Sequence, residues 1–91
     1  MSKQILKVRI LSPQKLIFQG EAISVSSTNS QGKFDILPQH ANFITLIENS
    51  PITVRVKGQK ALTFKFPLAI MNVSENKVDI YTYVQPQLDK E

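Results

Sequence analysis

Apolar and polar residues alternate along most of this 91-residue chain, so that every second residue is apolar over several separate runs. Alternation with a period of two is typical of β-strands that bury one face and expose the other. We therefore expect a strand in each run, with the following residues facing a shared core: Leu6, Val8 and Ile10; Ile23 and Val25; Ile52, Val54 and Val56; Leu62, Phe64 and Phe66; Val78, Ile80 and Thr82.

Short groups of turn-forming residues separate the runs: Ser12-Pro13, Gln19-Gly20, Thr28 to Gly32, Asn49 to Pro51, Lys57 to Gln59 and Ser74 to Asn76. Gly, Pro, Asn and Ser form tight turns most readily. Many short alternating strands joined by such turns indicate antiparallel sheets closed over one core. The sequence predicts a single all-β domain over residues 1–91, a flattened antiparallel β-sandwich or barrel of about 8–10 short strands.

Two segments depart from this pattern. Ala41 to Ile44 lacks clean alternation, so the stretch from Pro38 to Ile47 is compatible with a helical turn, whereas Thr45 and Ile47 favour a return to extended chain. The last residues, from about Gln85, are polar and predict a frayed tail.

The composition restricts the functional classes. The chain has no cysteine, which excludes disulfide bridges and thiolate metal sites, so hydrophobic packing, alone or together with a partner subunit, holds the fold. The net charge is +4, but the basic residues are scattered singly, which is a weak reason to expect nucleic acid. There is no signal-peptide apolar region and no run approaching the ~18 apolar residues of a membrane helix, so we expect a soluble intracellular protein.

An active site requires a nucleophile, an acid–base pair or a cluster of ligands. The chain has one histidine and seven scattered carboxylates. His40 has no second ligand at metal-binding spacing, which favours a hydrogen-bonded loop residue or an interface residue over a zinc ligand. Asp35 lies between Phe34 and Ile36 and should face away from both, as a solvated strand residue. We expect no catalytic residue, no metal and no cofactor.

Two further patterns in the sequence bear on ligand binding. The run from Ser24 to Ser30 is rich in hydroxyls, but a phosphate cradle requires several glycines leading into a helix, so the run is interpreted as a polar strand face. Aromatic residues near lysines suggest a base-stacking platform. Alternation assigns Phe64 and Phe66 to the core and leaves only Tyr81 and Tyr83 on the opposite face, which disfavours such a platform.

The most specific motif is Gly-Lys-Phe-Asp-Ile-Leu-Pro-Gln-His-Ala at Gly32 to Ala41. With Ile10 to Pro13, Ile17 to Glu21 and Asn76 to Ile80 in the same order, it resembles the N-terminal domain of the epsilon subunit of F-type ATP synthases, over roughly residues 4–84. Three departures are visible. Asp35 and Gln39 stand where that family usually has glycine, and Leu68-Ala69 replaces a Gly-Gly pair.

The resemblance implies a non-catalytic subunit of the central stalk, which links the gamma subunit to the c-ring and transmits rotation in proton- or ion-driven ATP synthesis. Such a subunit associates with the cytoplasmic face of the plasma membrane only through the complex. The residues matching the c-ring side are Ser30, Gln31, Gly32 and Lys33. The residues matching the gamma side are Ser12, His40, Ala41, Asn42, Phe43 and Thr45. Lys33 would pair with acidic residues of the polar ring loops.

Members of that family continue into a C-terminal two-helix hairpin associated with ATP binding or inhibition of hydrolysis. The hairpin is absent from these 91 residues, so we do not expect those activities from them. The alternative function is a freestanding β-sandwich or barrel that binds an oligonucleotide or another ligand. A small enzyme is a third alternative, for which the sequence offers no pocket or cofactor motif.

Overall fold

The computed structural model describes residues 5–83 and confirms the all-β class. Within these residues there is no helix, and so none long and apolar enough to span a membrane. The nine strands are β1 (Leu6–Leu11), β2 (Leu16–Ala22), β3 (Ser24–Asn29), β4 (Gly32–Ile36), β5 (Phe43–Glu48), β6 (Pro51–Arg55), β7 (Leu62–Lys65), β8 (Leu68–Ser74) and β9 (Lys77–Thr82). The polar tail expected from about residue 85 lies outside the described residues.

The strands form a sandwich of two sheets. The five-stranded sheet has the order β2-β1-β9-β8-β5, and the four-stranded sheet has the order β4-β3-β6-β7. All neighbouring pairs are antiparallel except β1 and β9, which are parallel in the middle of the five-stranded sheet. The parallel pair joins the beginning and the end of the described chain, so both contribute to the centre of one sheet.

The core lies between the inner faces of the two sheets, as the alternation predicts. Leu6, Val8 and Ile10 of β1 are fully buried, and they face the buried Ile52 and Val54 of the opposite sheet. The predicted inward set of β9 is also buried, including its threonine. Burying apolar side chains from both sheets contributes about 25 cal/mol per Å² of apolar surface removed from water, which is the main favourable term in folding.

Two residues assigned to the core lie at its border instead. Ile23 is 40% exposed because it occupies the bend between β2 and β3, where the chain crosses from one sheet to the other. Leu62 is 40% exposed because it begins β7, a strand at the edge of the four-stranded sheet. Alternation along the sequence identifies a strand face, but it does not show where a strand ends or which strand lies at an edge.

The segment without alternation is extended rather than helical. Leu37 accepts a hydrogen bond from the amide of His40 (3.1 Å), which closes a single turn, and β5 follows from Phe43. The return to extended chain expected from Thr45 and Ile47 is therefore confirmed. No helical turn forms between Pro38 and Ile47.

Phe18 packs across the open side of the sandwich, between edge strands of the two sheets. Its ring lies 5.5 Å from the ring of Phe64 in β7. The ring also approaches Gly20, two residues along the same face of β2, where an added Cβ would lie 3.0 Å from Phe18 Cζ. Gly20 therefore leaves the space that the aromatic ring occupies.

We expect Gly20→Ala to lower the free energy of unfolding by about 1–2 kcal/mol, because the added methyl displaces the Phe18 ring from its contact with Phe64. Urea unfolding of the single variants and of Gly20→Ala combined with Phe18→Leu measures the effect. The cost of Gly20→Ala should fall in the Phe18→Leu background, since the smaller side chain removes the crowding. An equal cost in both backgrounds would contradict this explanation.

Candidate functional site

The β3–β4 hairpin ends in the loop whose residues match the c-ring side of the resemblance. Asn29 Oδ1 accepts a hydrogen bond from the amide of Gln31 (2.8 Å), which fixes the turn. Gly32 has φ +120°, a backbone conformation that residues with a Cβ rarely adopt. Ser30, Gln31 and Lys33 are exposed, and Lys33 forms no ion pair with any residue between 5 and 83. The ammonium group of Lys33 is therefore available to an external anion.

The loop between β4 and β5 carries the only histidine of the chain. His40 Nδ1 lies 2.8 Å from the carbonyl oxygen of Ala41. Its ring meets the ring of Phe43 edge to face, with centroids 5.7 Å apart, and Phe43 meets Phe34 of β4 in the same manner at 5.3 Å. These contacts make His40 a hydrogen-bonded loop residue that supports the start of β5, as the sequence favoured, while Ala41 and Asn42 are exposed.

The structure brings the hairpin tip and the start of β5 together, although the resemblance matched them to different partners. Asn29 Nδ2 donates to Thr45 Oγ1 (3.0 Å), which joins the tip of one sheet to the edge strand of the other. A groove of about 380 Å³ lies between them, lined by Ser30 to Phe34 on one side and Phe43 to Thr45 on the other. The side chain of Thr45 faces inward, and its hydroxyl accepts the hydrogen bond from Asn29.

Ser12, also matched to the gamma side, lies far along the sheet from this groove. It follows β1 at the end of the sheet where Thr82 and Leu68 lie, whereas Phe43 pairs with Val73 near the other end. Its hydroxyl is nearly buried and closes the β1–β2 turn by accepting from the amide of Lys15 (3.2 Å). Ser12 therefore shapes this turn, and its neighbours present the accessible surface.

The outer face of the five-stranded sheet carries an apolar row that links these regions. Leu46 of β5 pairs with Ile70 of β8, which pairs with Tyr81 of β9, which pairs with Leu11 of β1. Leu46, Ile70 and Tyr81 are 48%, 40% and 45% exposed. We call Leu46, Ile70 and Tyr81, with the adjacent Ile44, the outer apolar row. Contiguous apolar surface of this kind is typical of an interaction site.

Charged residues border the outer apolar row on the same face. Arg9 Nε donates to Asp79 Oδ1 (3.0 Å), across the parallel β1–β9 pair. This hydrogen bond, and the charge of Asp79, raise the pKa of Arg9 above its usual value. The guanidinium is exposed, so the pair adds little to stability. It does give the apolar row a polar rim, as interfaces commonly have.

Sequence reasoning did not assign the outer apolar row as a site, although the signal is present. Phe43 to Ile47 and Leu68 to Met71 are apolar at consecutive positions apart from Thr45. Continuous apolar runs are typical of strands covered on both faces. The missing alternation near β5 therefore indicated a strand with two apolar faces, and not a helical turn.

The outer face of the four-stranded sheet is polar. Arg55 Nη1 donates to Ser26 Oγ (2.7 Å), and Ser26 Oγ donates in turn to the carboxylate of Asp35. Asp35 faces away from Phe34 and Ile36, as predicted. Phe64 and Phe66 face inward, with only Tyr81 and Tyr83 exposed on the other sheet, so the described residues form no aromatic platform. No three potential metal-ligating side chains come together between residues 5 and 83.

Comparison with known sequences identifies relatives over nearly the whole chain. The profile of the ATP synthase Delta/Epsilon chain beta-sandwich domain matches residues 5–84. The ATP synthase epsilon chain of Nitratiruptor sp. is 35% identical over 72 residues, which cover 79% of this chain and 56% of the relative. That of Leptospira interrogans serovar copenhageni is 32% identical over 82 residues, covering 90% of this chain and 64% of the relative. The chain thus spans about three fifths of the length of these relatives.

Solved structures share the fold at low sequence identity. A chain of the Euglena gracilis mitochondrial ATP synthase (OSCP/F1/c-ring) matches with a TM-score of 0.83 at 16% identity, covering 96% of this chain and 57% of the other. A chain of the Tetrahymena thermophila central stalk and c-ring matches with a TM-score of 0.71 at 15% identity, covering 92% and 67%. At these identities the likeness concerns the sandwich fold.

The backbone conformation at Gln39 gives a physical reason why glycine suits this position. Gln39 has φ +69°, a left-handed conformation that costs a residue with a Cβ about 1 kcal/mol relative to glycine. Its amide donates to Asn76 Oδ1 (2.6 Å), which fixes the loop against the β8–β9 turn. Asp35, in contrast, lies in β4 and not among the positive-φ residues, so nothing in its backbone requires glycine.

We expect Gln39→Gly to raise the free energy of unfolding by about 0.5–1 kcal/mol, because relief of the left-handed strain exceeds the added freedom of the unfolded chain. Gln19→Gly is the matched control. Gln19 is an exposed residue of β2 without positive φ, where glycine should be destabilising. Chemical unfolding of both variants measures the difference, and loss of stability in both would contradict the role assigned to the turn.

Proposed function

This chain belongs to the ATP synthase delta/epsilon beta-sandwich family, and from that membership we propose that it is a non-catalytic subunit of the central stalk of a rotary F-type ATP synthase. In this role it links the gamma subunit to the c-ring and transmits rotation during ion-driven ATP synthesis. It is held at the cytoplasmic face of the membrane through the complex. The proposal requires two separate adhesive surfaces on one rigid body.

The outer apolar row is the observation that carries the proposal. Its residues project from three neighbouring strands of one sheet, and each remains at least 40% exposed within residues 5–83. Removing side chains of this size from water favours association by about 25 cal/mol per Å² before the costs of binding are subtracted. We assign this face to the gamma subunit, since a permanent partner is expected to cover apolar surface.

The hairpin tip supports the second contact. Ser30 and Gln31 are exposed polar residues, and Lys33 projects from the outer face of the four-stranded sheet, away from the outer apolar row. A polar, positively charged tip fits the polar loops of a c-ring better than an apolar subunit surface. The two contacts therefore differ in chemistry as well as in position.

Transmission of rotation is explained by the sandwich between the contacts. The two inner faces pack into one buried core, and the Asn29–Thr45 hydrogen bond joins the tip to the edge strand of the other sheet. Because close-packed cores deform little, a force applied at the tip moves the outer apolar row with it. No chemical step is assigned to this chain.

We expect Ile70→Asp to weaken binding to the gamma subunit at least tenfold (about 1.4 kcal/mol), because it places a carboxylate within a desolvated interface. Ile23→Asp is the matched control. Ile23 is exposed to the same extent, 40%, but it lies at the β2–β3 bend, outside the outer apolar row. Titration of each folded variant against the purified gamma subunit measures the change.

Equal affinities for the two aspartate variants would show that the outer apolar row is not the gamma-binding face. Separate elution of the unsubstituted chain and a folded gamma subunit at micromolar concentration would remove the main support for the stalk assignment itself.

We expect Lys33→Glu to weaken attachment to the c-ring by about 0.2–1 kcal/mol, and more at low salt than at high salt. An exposed charge pair is weak and is screened by ions, which explains both the size and the salt dependence. Lys57→Glu makes the same charge change in the β6–β7 turn and serves as the control. Pull-down with isolated c-rings at several salt concentrations measures attachment.

Binding to the gamma subunit should be unchanged by Lys33→Glu, since Lys33 and the outer apolar row lie on opposite faces. If Lys33→Glu and Lys57→Glu attach to the ring equally well at low salt, Lys33 does not contact the ring.

A further inference from the structure

The edge of β5 is open in the described part of the chain. β5 is the last strand of the five-stranded sheet, and among residues 5–83 no loop or turn backbone bonds to its outer side. An open edge presents a row of unpaired N–H and C=O groups that are complementary to another extended chain.

Hydrogen bonding after β5 establishes the direction of its peptide groups. The amide of Asn49 donates to the carbonyl oxygens of Phe66 and Pro67, both at 3.2 Å, on the side of β8. Peptide groups alternate in direction along a strand, and β5 pairs with β8 without a register shift. Ile44 and Leu46 therefore direct their N–H and C=O groups toward the open edge.

The edge carries one charge, Glu48 at the end of β5, and otherwise lacks the features that usually prevent strand pairing. Natural edge strands are protected by charges, prolines, bulges or a covering loop. From Phe43 to Ile47 the strand has no charge and no proline. Ile44 is 69% exposed, the largest exposed fraction among the leucine and isoleucine side chains of residues 5–83. An unprotected apolar edge on a folded protein indicates a partner that pairs with it.

The groove beside β5 favours a single extended segment over a second copy of this chain. Its far wall is the hairpin tip, Ser30 to Lys33, joined to β5 by the Asn29–Thr45 hydrogen bond. A single strand needs only the ≈ 4.8 Å spacing of a sheet, whereas a second sandwich approaching β5 would meet the tip. The groove is also continuous with the outer apolar row through Ile44.

We propose that an extended segment of the subunit covering the outer apolar row pairs with β5 and becomes the sixth strand of the five-stranded sheet. This proposal rests on the assignment of that face to the gamma subunit. The segment carries apolar side chains at alternate positions, which extend the row of Leu46, Ile70 and Tyr81. Main-chain hydrogen bonds supply the affinity and the side chains supply the register.

Amide hydrogen exchange of this chain with and without the purified gamma subunit tests the pairing. The amides of Ile44 and Leu46 should exchange rapidly in the free chain and at least about tenfold more slowly in the complex, because they gain main-chain acceptors. Exchange as fast as in the free chain, within a complex that has formed, overturns the strand pairing and leaves the stalk assignment intact. Absence of any complex overturns both.

A proline substitution provides the second measurement. Ile44→Pro removes the outward N–H and places the ring in the path of a pairing strand, while the hydrogen bonds to β8 remain. Ile44→Ala removes the same apolar side chain but keeps the N–H. We expect the proline variant to bind the gamma subunit about tenfold more weakly than the alanine variant, with similar melting temperatures. Equal affinity of the proline and alanine variants for the gamma subunit overturns the proposal.

Thr45→Pro tests the assigned direction of the peptide groups. Its N–H bonds to β8, so this variant should lose much more stability than Ile44→Pro. If Ile44→Pro is instead the less stable variant, β5 is turned the other way and the proposal is wrong. Concentration-dependent dimers of the free chain with protected Ile44 and Leu46 amides would identify a second copy as the occupant and also overturn it.

Discussion

Burial of the two inner sheet faces against each other is the constraint on which the rest of this structure depends. The chain has no cysteine, and in residues 5–83 no three potential metal ligands come together, so apolar packing between the sheets has no covalent or metal support. In a domain of this size that packing buries the inner face of every long strand. Only the outer faces, the edges and the hairpin tips remain for recognition.

The remaining surfaces divide by chemistry. The outer face of the five-stranded sheet is apolar along Leu46, Ile70 and Tyr81, with the Arg9–Asp79 pair at its rim. The outer face of the four-stranded sheet is polar, with Ser26 bonded to both Asp35 and Arg55. A body with an apolar row on one face and a charged tip is suited to hold two different partners at once. The rigid core makes their positions interdependent.

The groove between the hairpin tip and β5 connects these surfaces. It brings together residues that a motif comparison assigns to separate partners, because Asn29 and Thr45 bond across the gap between the sheets. A change at the tip can therefore alter the edge of β5 through this contact. The open edge adds main-chain hydrogen bonding to a surface that otherwise offers only side chains, and such bonding defines the register of a partner more strictly than apolar contact does.

The sequence by itself determined the all-β class, a count of about 8–10 strands and most of the inward residues, because a period of two depends only on the local geometry of a strand. The motif at Gly32 to Ala41 also indicated the family. Only the tertiary structure decided where the chain crosses between the sheets, which exposes Ile23, and which strands lie at edges, which exposes Leu62 and leaves one side of β5 open. Strand order depends on contacts between residues distant in sequence, which periodicity does not record. For the same reason the nearness of Asn29 to Thr45, and the separation of Ser12 from both, became visible only in the folded chain.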